Sequence, residues 1–375
     1  MSTEQTPSES KRKVRVAVLF GGQSDEHDVS LRSANTVMSA LNPDEYEVVK
    51  IGITRDGAWI TSGDPHAQLA AASPMFALMT GTDVAPTPEG SSSALALPSI
   101  VEQGIDIVFP VLHGPMGEDG TIQGLFELMG VPYVGAGVLG SAVGMDKATA
   151  KMILAQAGIT QADWLLVQRS ELQRDPTGVE AKIAETLGFP CFVKPANLGS
   201  SVGVLKVHNA SELPDALEQA AYYDRRIVVE RGIIGRELEI AVLGNDEPRA
   251  SVAGEIEPGH EFYDYEAKYL DESSRLTIPA VLEPEILEEM QRIAITAFKA
   301  LDLAGMARVD FFLEAETNRL LLNEVNTIPG FTSISMYPML WKASGLPIEE
   351  LVQELMRLAL ERFGEKRPVR RRENG

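Results

Sequence analysis

The sequence predicts a protein of mixed α/β and α+β class, built from three consecutive domains. In the first part of the chain, strands alternate with helices, as in an open, largely parallel sheet. A shorter middle part combines strands with two helices, and the last part contains several strands, a long helix and two closing helices. The 375 residues, with a hydrophobic content of 44%, supply enough apolar side chains for more than one core.

Residues 14–145 form the predicted N-terminal α/β domain, which follows a flexible tail at 1–13. Its elements are, in order, the strand VRVAVLF, a GG turn, a helix through LRSANTVMSAL, the strand EYEVVKIGI, a loop-rich region near 61–100, the buried strand IDIVFPVL, the helix TIQGLFELMG and the strand VPYV. The uncharged stretch 128–145 contains five glycines and a proline. We therefore interpret it as a short buried strand and a turn, and not as a membrane span.

Residues 146–231 form the predicted small central α+β domain, in which the segments DWLLVQ, PCFVKPA and RIVVE are strands. Residues 232–365 form the larger, mostly antiparallel C-terminal α+β domain, with the strands RELEIAVL, RASVAGEIE and SRLTIPA, a long helix, a hairpin and two closing helices. A basic flexible tail follows at 366–375. We interpret its KRPVRRR run as a solvated end, the alternative being a targeting or nucleic-acid signal.

The composition narrows the classes of function. A formal net charge of −21 would repel a phosphate backbone, so we expect no nucleic-acid partner. The first residues, MSTEQTPSESKRK, lack an apolar core, and neither a secretion signal nor a membrane partner is expected. The single cysteine, Cys191, excludes an internal disulfide and fits a reducing cytoplasm. Its apolar surroundings predict a small core residue and not a nucleophile.

The segment KPANLGSSVG, residues 194–203, contains the residue types that wrap an anion. In a P-loop the lysine follows the glycines and leads into a helix, whereas here Lys194 comes first, within a strand-like run. A strand, a glycine-rich turn and a second strand would form a flap over a triphosphate, with Lys194 pointing at it. An ordinary hairpin with a surface lysine is the alternative, and residues elsewhere must decide between the two.

Two further motifs carry less information. GAGVLG, residues 135–140, matches the dinucleotide-binding pattern, but no acidic residue follows at the distance that a ribose contact requires. The interpretation as a dinucleotide-dependent oxidoreductase therefore rests on this motif alone.

Glu230 and Glu237 flank the glycine-containing segment RGIIGR. Either carboxylate could accept hydrogen bonds from ribose hydroxyls or could simply face water.

The strongest signal is the segment ARVDFFLEAETNRLLLNEVNTIPG, residues 307–330, which predicts a hairpin. Arg308 and Asp310 lie two apart on one strand, and Glu324 and Asn326 lie two apart on the other, so each pair shares one face. Carboxylate and amide oxygens suit Mg²⁺, which shares its coordination shell with water and phosphates. A solvated polar face is the alternative, but the added arginine and the following turn favour a site.

Together these segments resemble the ATP-grasp fold, and more closely the D-alanine:D-alanine ligase family. Seven segments match the family's pattern in order: GGQSDEHDVS (21–30), HGPMGEDG (113–120), GMDK (144–147), KPANLGSSVG, FYDYEAKY (262–269), RVDF (308–311) and NEVNTIPGFTSISMYP (323–338). The match extends from residue 14 to about 362. The resemblance implies a ligase that uses ATP and two Mg²⁺ ions, for which Mn²⁺ can substitute, to join two D-alanines for peptidoglycan synthesis.

The resemblance also implies roles for individual residues in nucleotide binding. Lys147 and Lys194 would hold the α- and β-phosphates, Glu237 would bind the ribose, and Glu230 would lie at the edge of the adenine. The other residues that the resemblance assigns to ATP are Ser200, Ser201, Lys268, Asn323 and Glu324. Asp310, Glu324 and Asn326 would bind the metal ions, and Lys268, on a mobile loop, would contact the γ-phosphoryl group.

For the amino-acid substrates, the resemblance implies that Glu26 anchors the ammonium of the first D-alanine, with His113 nearby. Ser200 would connect Glu26 to Tyr269 through hydrogen bonds. Arg308 and the Gly330 amide would stabilise the oxyanion. Ser335 and the amide of Met336 would bind the carboxylate of the second D-alanine.

Two other functions stay open at this stage. A D-alanine:D-lactate ligase is the nearest rival, and Tyr269 favours an amine as the second substrate. A nucleotide-binding relative that has lost catalysis is the other, although all three metal-ligand positions are filled by oxygen-bearing residues. The resemblance further implies a bacterial, cytoplasmic homodimer that associates through its N-terminal domain.

Overall fold

The described residues form three β-sheets, one after another along the sequence. The structure, a computed structural model, describes residues 12–75, 84, 103–199, 202–257 and 275–366. The expected combination of a largely parallel sheet with antiparallel ones is confirmed.

The first sheet contains β1 (Val14–Gly21), β2 (Tyr46–Ile53), β3 (Trp59–Ile60) and β4 (Ile107–Val111), in the order β3-β2-β1-β4. β1 is parallel to both β2 and β4, and only the short β3 is antiparallel. Residues 16–20 of β1 form a continuous apolar run because both faces of a parallel sheet are covered. The helices of this part are α1 (His27–Ala40), α2 (Pro65–Ala71), α3 (Thr121–Met129) and α4 (Val138–Met145).

The expectation of a strand and a turn over 128–145 was wrong for its second half. Tyr133 makes only an isolated bridge to Val108, and Val138–Met145 is the helix α4. The glycines of this helix allow close packing, since a Cβ on Gly140 would lie 2.3 Å from the carbonyl oxygen of Asp302. Across the described ranges, none of the helices combines the length and apolar character that a membrane crossing requires.

The second sheet is antiparallel and contains β5 (Trp164–Gln168), β6 (Cys191–Pro195), β7 (Leu205–Val207) and β8 (Arg226–Arg231), in the order β5-β8-β6-β7. The helices in this part are α5 (Lys147–Gln156), α6 (Arg169–Arg174), α7 (Pro176–Thr186) and α8 (Leu213–Tyr223). Cys191 is fully buried, and burial raises the pKa of its thiol to about 11, as suits the predicted core residue.

The third sheet is antiparallel throughout, in the order β11-β10-β9-β12-β13. Its strands are β9 (Gly235–Gly244), β10 (Arg249–Glu257), β11 (Arg275–Thr277), β12 (Gly305–Glu314) and β13 (Leu320–Asn326). In the described part of this region, the helices are α9 (Pro284–Ala300), α10 (Met336–Ala343) and α11 (Ile348–Glu365).

The hydrophobic cores do not correspond to the individual sheets, because one core is shared between two of them. One large core combines residues of the first sheet, such as Phe109, with residues of the third sheet and of α10 and α11, such as Trp341 and Leu355. Phe109 packs edge-on against Phe331, with ring centroids 5.9 Å apart. The second sheet has a core of its own, which includes Leu217. The division at 145 and 231 stays a prediction.

Candidate active site

A cavity of about 270 Å³ is lined by residues of the second and third sheets and by residues that follow strands of the first sheet, such as Glu26 and His113. Most of the predicted site residues that the structure describes line it, namely Glu26, His113, Lys147, Lys194, Glu230, Glu237, Arg308, Asp310, Asn323, Glu324, Asn326 and Gly330. Of the described ones, Ser335 and Met336 do not line it. The predictions for Ser200, Ser201, Lys268 and Tyr269 fall outside the described residues.

The floor of the cavity is a row of carboxylates across three neighbouring strands. Glu239 on β9 lies opposite Asp310 on β12, and Asp310 lies opposite Glu324 on β13. Directly opposed residues of antiparallel strands point to the same face, so the three acidic side chains share one surface. The next row places Arg308 opposite Asn326.

Arg308 balances part of this negative charge. Its Nε and Nη2 atoms donate to the two carboxylate oxygens of Asp310, each at 2.7 Å, and its Nε lies 2.9 Å from an oxygen of Glu239. Burial alone would lower the pKa of Arg308, but Asp310 and Glu239 raise it well above its usual value. Glu239 was not among the predicted site residues. It lies two positions after Glu237 on the same strand, and residues two apart on a strand point to the same face, so the sequence contained a signal for it.

A β-bulge shapes the edge of the row. The register between β12 and β13 shifts after Asp310, so that Phe311 pairs with Leu322 and Asn323 becomes the extra residue. Leu322 is buried in the core, whereas Asn323 and Glu324 both line the cavity. Strict alternation would send these two neighbours to opposite faces, and the bulge brings both to the site.

The residues present fit a divalent metal ion. Asp310, Glu324 and Asn326 offer hard oxygen donors within two adjacent rows of one hairpin. The described residues contain no cluster of three or more Asp, Glu, His or Cys side chains able to hold a metal without help. An ion here would therefore depend on the Asn326 amide and on water or phosphate oxygens, as Mg²⁺ commonly does.

Lys147 approaches the same row from α5. Its Nζ atom donates to the carbonyl oxygen of Leu198 at 2.6 Å and lies 3.7 Å from a carboxylate oxygen of Glu324. The helix is started by Asp146, whose side chain accepts from the Thr149 amide at 2.8 Å. This N-cap fixes the position of the lysine at the first helical residue.

Lys194 and Glu230 form a buried ion pair on the second sheet. Lys194 Nζ donates to Glu230 Oε2 at 2.6 Å, and Lys151 Nζ, which was not among the predicted residues, lies 2.7 Å from Glu230 Oε1. Burial would raise the pKa of Glu230, but the two lysines lower it to about 2. Burial likewise opposes the charge of Lys194, yet Glu230 and Glu324 raise its pKa.

Glu26 also lines the cavity, from the N-terminal end of α1. A second cavity of about 170 Å³ adjoins it and shares Glu26, Leu198 and Gly199 with the first. The neighbouring residues of the motif are structural: the His27 ring contacts the Gly22 carbonyl oxygen at 2.7 Å, and Asp28 pairs with Arg55 at 3.0 Å.

Two loops are joined beside Glu26. His113 Nδ1 bonds to the Ile328 carbonyl oxygen at 3.0 Å, and its buried Nε2 has no hydrogen-bond partner among the described residues. Burial lowers the pKa of His113, which favours the neutral ring. Glu118 accepts from the amides of Gly114 at 2.6 Å and Ile328 at 3.1 Å. Burial, reinforced by Glu26, raises the pKa of Glu118 to about 8.

The turn after β13 places Gly330 on the cavity wall, with Ser335 behind it. Ser335 Oγ accepts from the Thr332 amide at 3.0 Å and lies 2.7 Å from the Thr332 hydroxyl. Ser335 is also the residue before α10, which begins with Met336. The hydroxyl of Ser335 is therefore held by the turn itself.

Family profiles match most of the chain. A profile described as "D-ala D-ala ligase N-terminus" matches residues 15–136, and one described as "D-ala D-ala ligase C-terminus" matches residues 153–357. A D-alanine–D-alanine ligase of Acetivibrio thermocellus is 51% identical over 366 residues, covering 94% of this chain and 97% of that protein. The ligase of Geobacillus thermodenitrificans is 50% identical, covering 95% and 98%.

Solved structures show the same similarity. The D-alanine–D-alanine ligase of Coxiella burnetii superposes with a TM-score of 0.77 at 38% identity, covering 94% of this chain and 95% of that one. The D-Ala:D-Ser ligase VanG of Enterococcus faecalis gives a TM-score of 0.76 at 35% identity, covering 93% and 100%.

Proposed function

The chain belongs to the D-alanine–D-alanine ligase family, and we propose that its cavity binds ATP beside two D-alanine molecules. The fold is the ATP-grasp fold of that family. The protein is a ligase that joins two D-alanines into D-alanyl-D-alanine for peptidoglycan synthesis. The observation that carries the assignment of the site is the acidic row Glu239, Asp310 and Glu324, which faces basic side chains within one cavity.

The reaction needs activation because a carboxylate oxygen is a poor leaving group. The carboxylate of the first D-alanine attacks the γ-phosphorus of ATP, which forms an acyl phosphate and releases ADP. The amine of the second D-alanine then attacks the carbonyl carbon. The new carbon–nitrogen bond forms, phosphate leaves with the electrons of the carbon–oxygen bond, and the amine loses a proton. The protein contributes mainly positioning and charge neutralisation.

The nucleotide would lie between the second and third sheets. Lys147 and Lys194 would neutralise the α- and β-phosphates, and both line the cavity, from α5 and from β6. Glu237 would bind the ribose hydroxyls, and Glu230 would accept from the adenine amino group. Asn323, brought to the cavity by the bulge, would complete the phosphate contacts.

Asp310, Glu324 and Asn326 would hold two Mg²⁺ ions. Bound Mg²⁺ neutralises the charge that develops on the transferring phosphoryl group. Arg308 is already paired with Glu239, so it keeps a carboxylate partner when Asp310 turns to a metal. It would then present its free donors to the oxyanion, together with the Gly330 amide.

The D-alanine end of the cavity would be the one next to Glu26. Glu26 would bind the ammonium of the first substrate, beside the neutral ring of His113. The carboxylate of the second D-alanine would lie at the start of α10, near Ser335 and the Met336 amide, where a helix N-terminus favours an anion. Ser200, Ser201, Lys268 and Tyr269 keep their expected roles as predictions.

Two broader features belong to the same proposal. We expect the enzyme to work in the cytoplasm, where ATP is available, and to associate as a homodimer through its N-terminal domain. Both expectations rest on the family. Size-exclusion chromatography with light scattering would test the dimer directly.

Phosphate release from Mg-ATP tests the function. The purified chain is assayed with D-alanine, L-alanine, D-serine or D-lactate, and the product is identified by mass. We expect release with D-alanine and formation of D-alanyl-D-alanine. A depsipeptide formed preferentially with D-lactate would favour the rival ligase, and no turnover with any substrate would favour a silent nucleotide-binding protein.

A further inference from the structure

Three charged side chains form a continuous buried chain at the wall of the cavity. Lys151 Nζ lies 2.7 Å from Glu230 Oε1, and Lys194 Nζ lies 2.6 Å from Glu230 Oε2. The exposed fractions of the side chains are 3% for Lys151, 6% for Glu230 and 11% for Lys194. Each oxygen of the carboxylate therefore has its own cation, in surroundings from which water is largely excluded.

The charges in this group do not cancel. Two ammonium groups surround one carboxylate, so the group carries one net positive charge next to the space assigned to the phosphates. Burial disfavours ions, but the two lysines keep Glu230 ionised by lowering its pKa to about 2. The group without Lys151 would be a neutral pair, and a neutral pair attracts a polyphosphate far less than a net cation does.

The position of Lys151 on α5 supports a role in the cavity. It follows Lys147 by four residues, so both lysines lie on one side of the helix, one turn apart. Both line the cavity. Lys147 contacts Leu198 and Glu324, whereas Lys151 contacts Glu230, so the two lysines pair with different acidic residues.

We propose that Lys151 is a positioning residue for the nucleotide, which cancels the charge of Glu230 and so leaves the charge of Lys194 available to the polyphosphate. This proposal rests on the proposed function and assigns a further residue to the same site. The pairing also fixes the Glu230 carboxylate, which limits the positions from which it can meet the adenine. A residue that only packs α5 would have no such effect on charge.

Direct binding of Mg-ADP and of adenosine separates these roles. The ratio of the two dissociation constants measures what the phosphates contribute to affinity. Isothermal titration calorimetry is carried out on the full chain and on K151M, E230Q, the double variant K151M/E230Q and the control K182M. Lys182 is an exposed lysine on α7, so K182M removes the same charge away from the cavity.

For K151M we expect the phosphate contribution to fall by about 10- to 100-fold, as for the loss of one nearby charge in a partly buried site. In the double variant the carboxylate is neutral and Lys194 is again uncompensated, so most of the phosphate contribution should return. E230Q alone leaves two uncompensated ammonium groups and should raise the phosphate contribution to affinity. The control K182M should leave it unchanged.

The proposal would be overturned if the ratio of the dissociation constants for adenosine and Mg-ADP were unchanged in K151M. It would also be overturned if this ratio were the same in the double variant as in K151M. If K151M does not fold, the proposal is tested by E230Q, in which the phosphate contribution to affinity should rise. Failure of the proposed function gives a different result, since the unaltered chain would then make no D-alanyl-D-alanine. An active unaltered enzyme with an unchanged ratio in K151M refutes the role of Lys151 alone.

Discussion

Asp310 and Glu324 lie opposite one another on β12 and β13, and each faces a basic side chain. Arg308 contacts both oxygens of Asp310, and Lys147 lies 3.7 Å from Glu324. Each carboxylate proposed to bind metal is thus paired with a cation of the same site. Asp310, Glu324 and Asn326 would hold the ions, while Arg308 and Lys147 lie close enough to offset part of the charge of the same row.

Replacing Glu324 with Ala removes one oxygen donor from this site. We expect turnover to fall about 100-fold or more, because bound metal supplies several kcal/mol of charge stabilisation. The fold should persist, since the side chain is 32% exposed. Phosphate release and thermal unfolding measure the two effects. Glu316→Ala, on the exposed turn of the same hairpin, is the control, and full activity of Glu324→Ala would contradict the metal assignment.

Glu239→Gln removes the second carboxylate partner of Arg308. The guanidinium should then bind Asp310 more tightly and compete with the metal. We expect the Mg²⁺ concentration for half-maximal activity to rise about tenfold, as for other residues that orient metal ligands. Magnesium titrations at saturating ATP and D-alanine measure this change. If the requirement for Mg²⁺ stays the same, Glu239 does not control Arg308 in this way.

Gly330→Ala should act through Ser335. The added Cβ would lie 2.9 Å from Ser335 Oγ, which the Thr332 amide and hydroxyl hold in place. We expect a shift of the hydroxyl and an increase of about tenfold in KM for the second D-alanine, with the affinity for ADP unchanged. Steady-state kinetics at varied D-alanine check this. Gly124→Ala on α3, where a Cβ meets nothing within 4 Å, is the matched control.

Glu118 predicts a pH dependence of stability. Its folded pKa of about 8 lies above its ordinary value of 4.5, so the folded chain binds more protons between these values. The resulting stability is fully present below pH 4.5 and is lost as the pH rises through 8. Relative to Glu118→Gln, the free energy of unfolding should therefore fall with rising pH, by at most about 1.4 kcal/mol per pH unit. Urea unfolding at several pH values measures the difference, and a constant difference would show an ordinary carboxylate.

Leu217→Ala tests the independence of the core beneath the second sheet. Leu217 is fully buried there, and its truncation should cost about 2–5 kcal/mol. Because this core is separate from the large one, faster amide hydrogen exchange should be confined to β5–β8 and their helices. Exchange followed by mass spectrometry shows the distribution. Equal acceleration in β1 and β4 would mean that the cores are coupled.

Local patterns predicted the hairpin well. The two-residue spacing of Arg308 and Asp310, and of Glu324 and Asn326, places all four on the cavity, as the register of β12 and β13 shows. The parallel sheet also followed from the alternation of apolar strands and helices. These features arise from residues that are close together in the chain, so local sequence patterns are enough to predict them.

Pairings between distant segments could not be predicted in this way. The contact of Lys151 with Glu230 joins α5 to β8, and that of Glu118 with Ile328 joins two loops 210 residues apart. Only the register between β9 and β12 places Glu239 beside Arg308. The helix α4 was missed because its glycines suggested a turn, whereas packing on Asp302 requires small residues there.

The large core shared by the first and third sheets sets an order for folding during synthesis. A ribosome makes β1 and β4 first, but the helices α10 and α11, which complete this core, are among the last elements translated. At about 5–20 residues per second, the wait is on the order of 10 to 50 s. The unit around the second sheet can fold in that interval, while the apolar side of the first sheet stays open to chaperones.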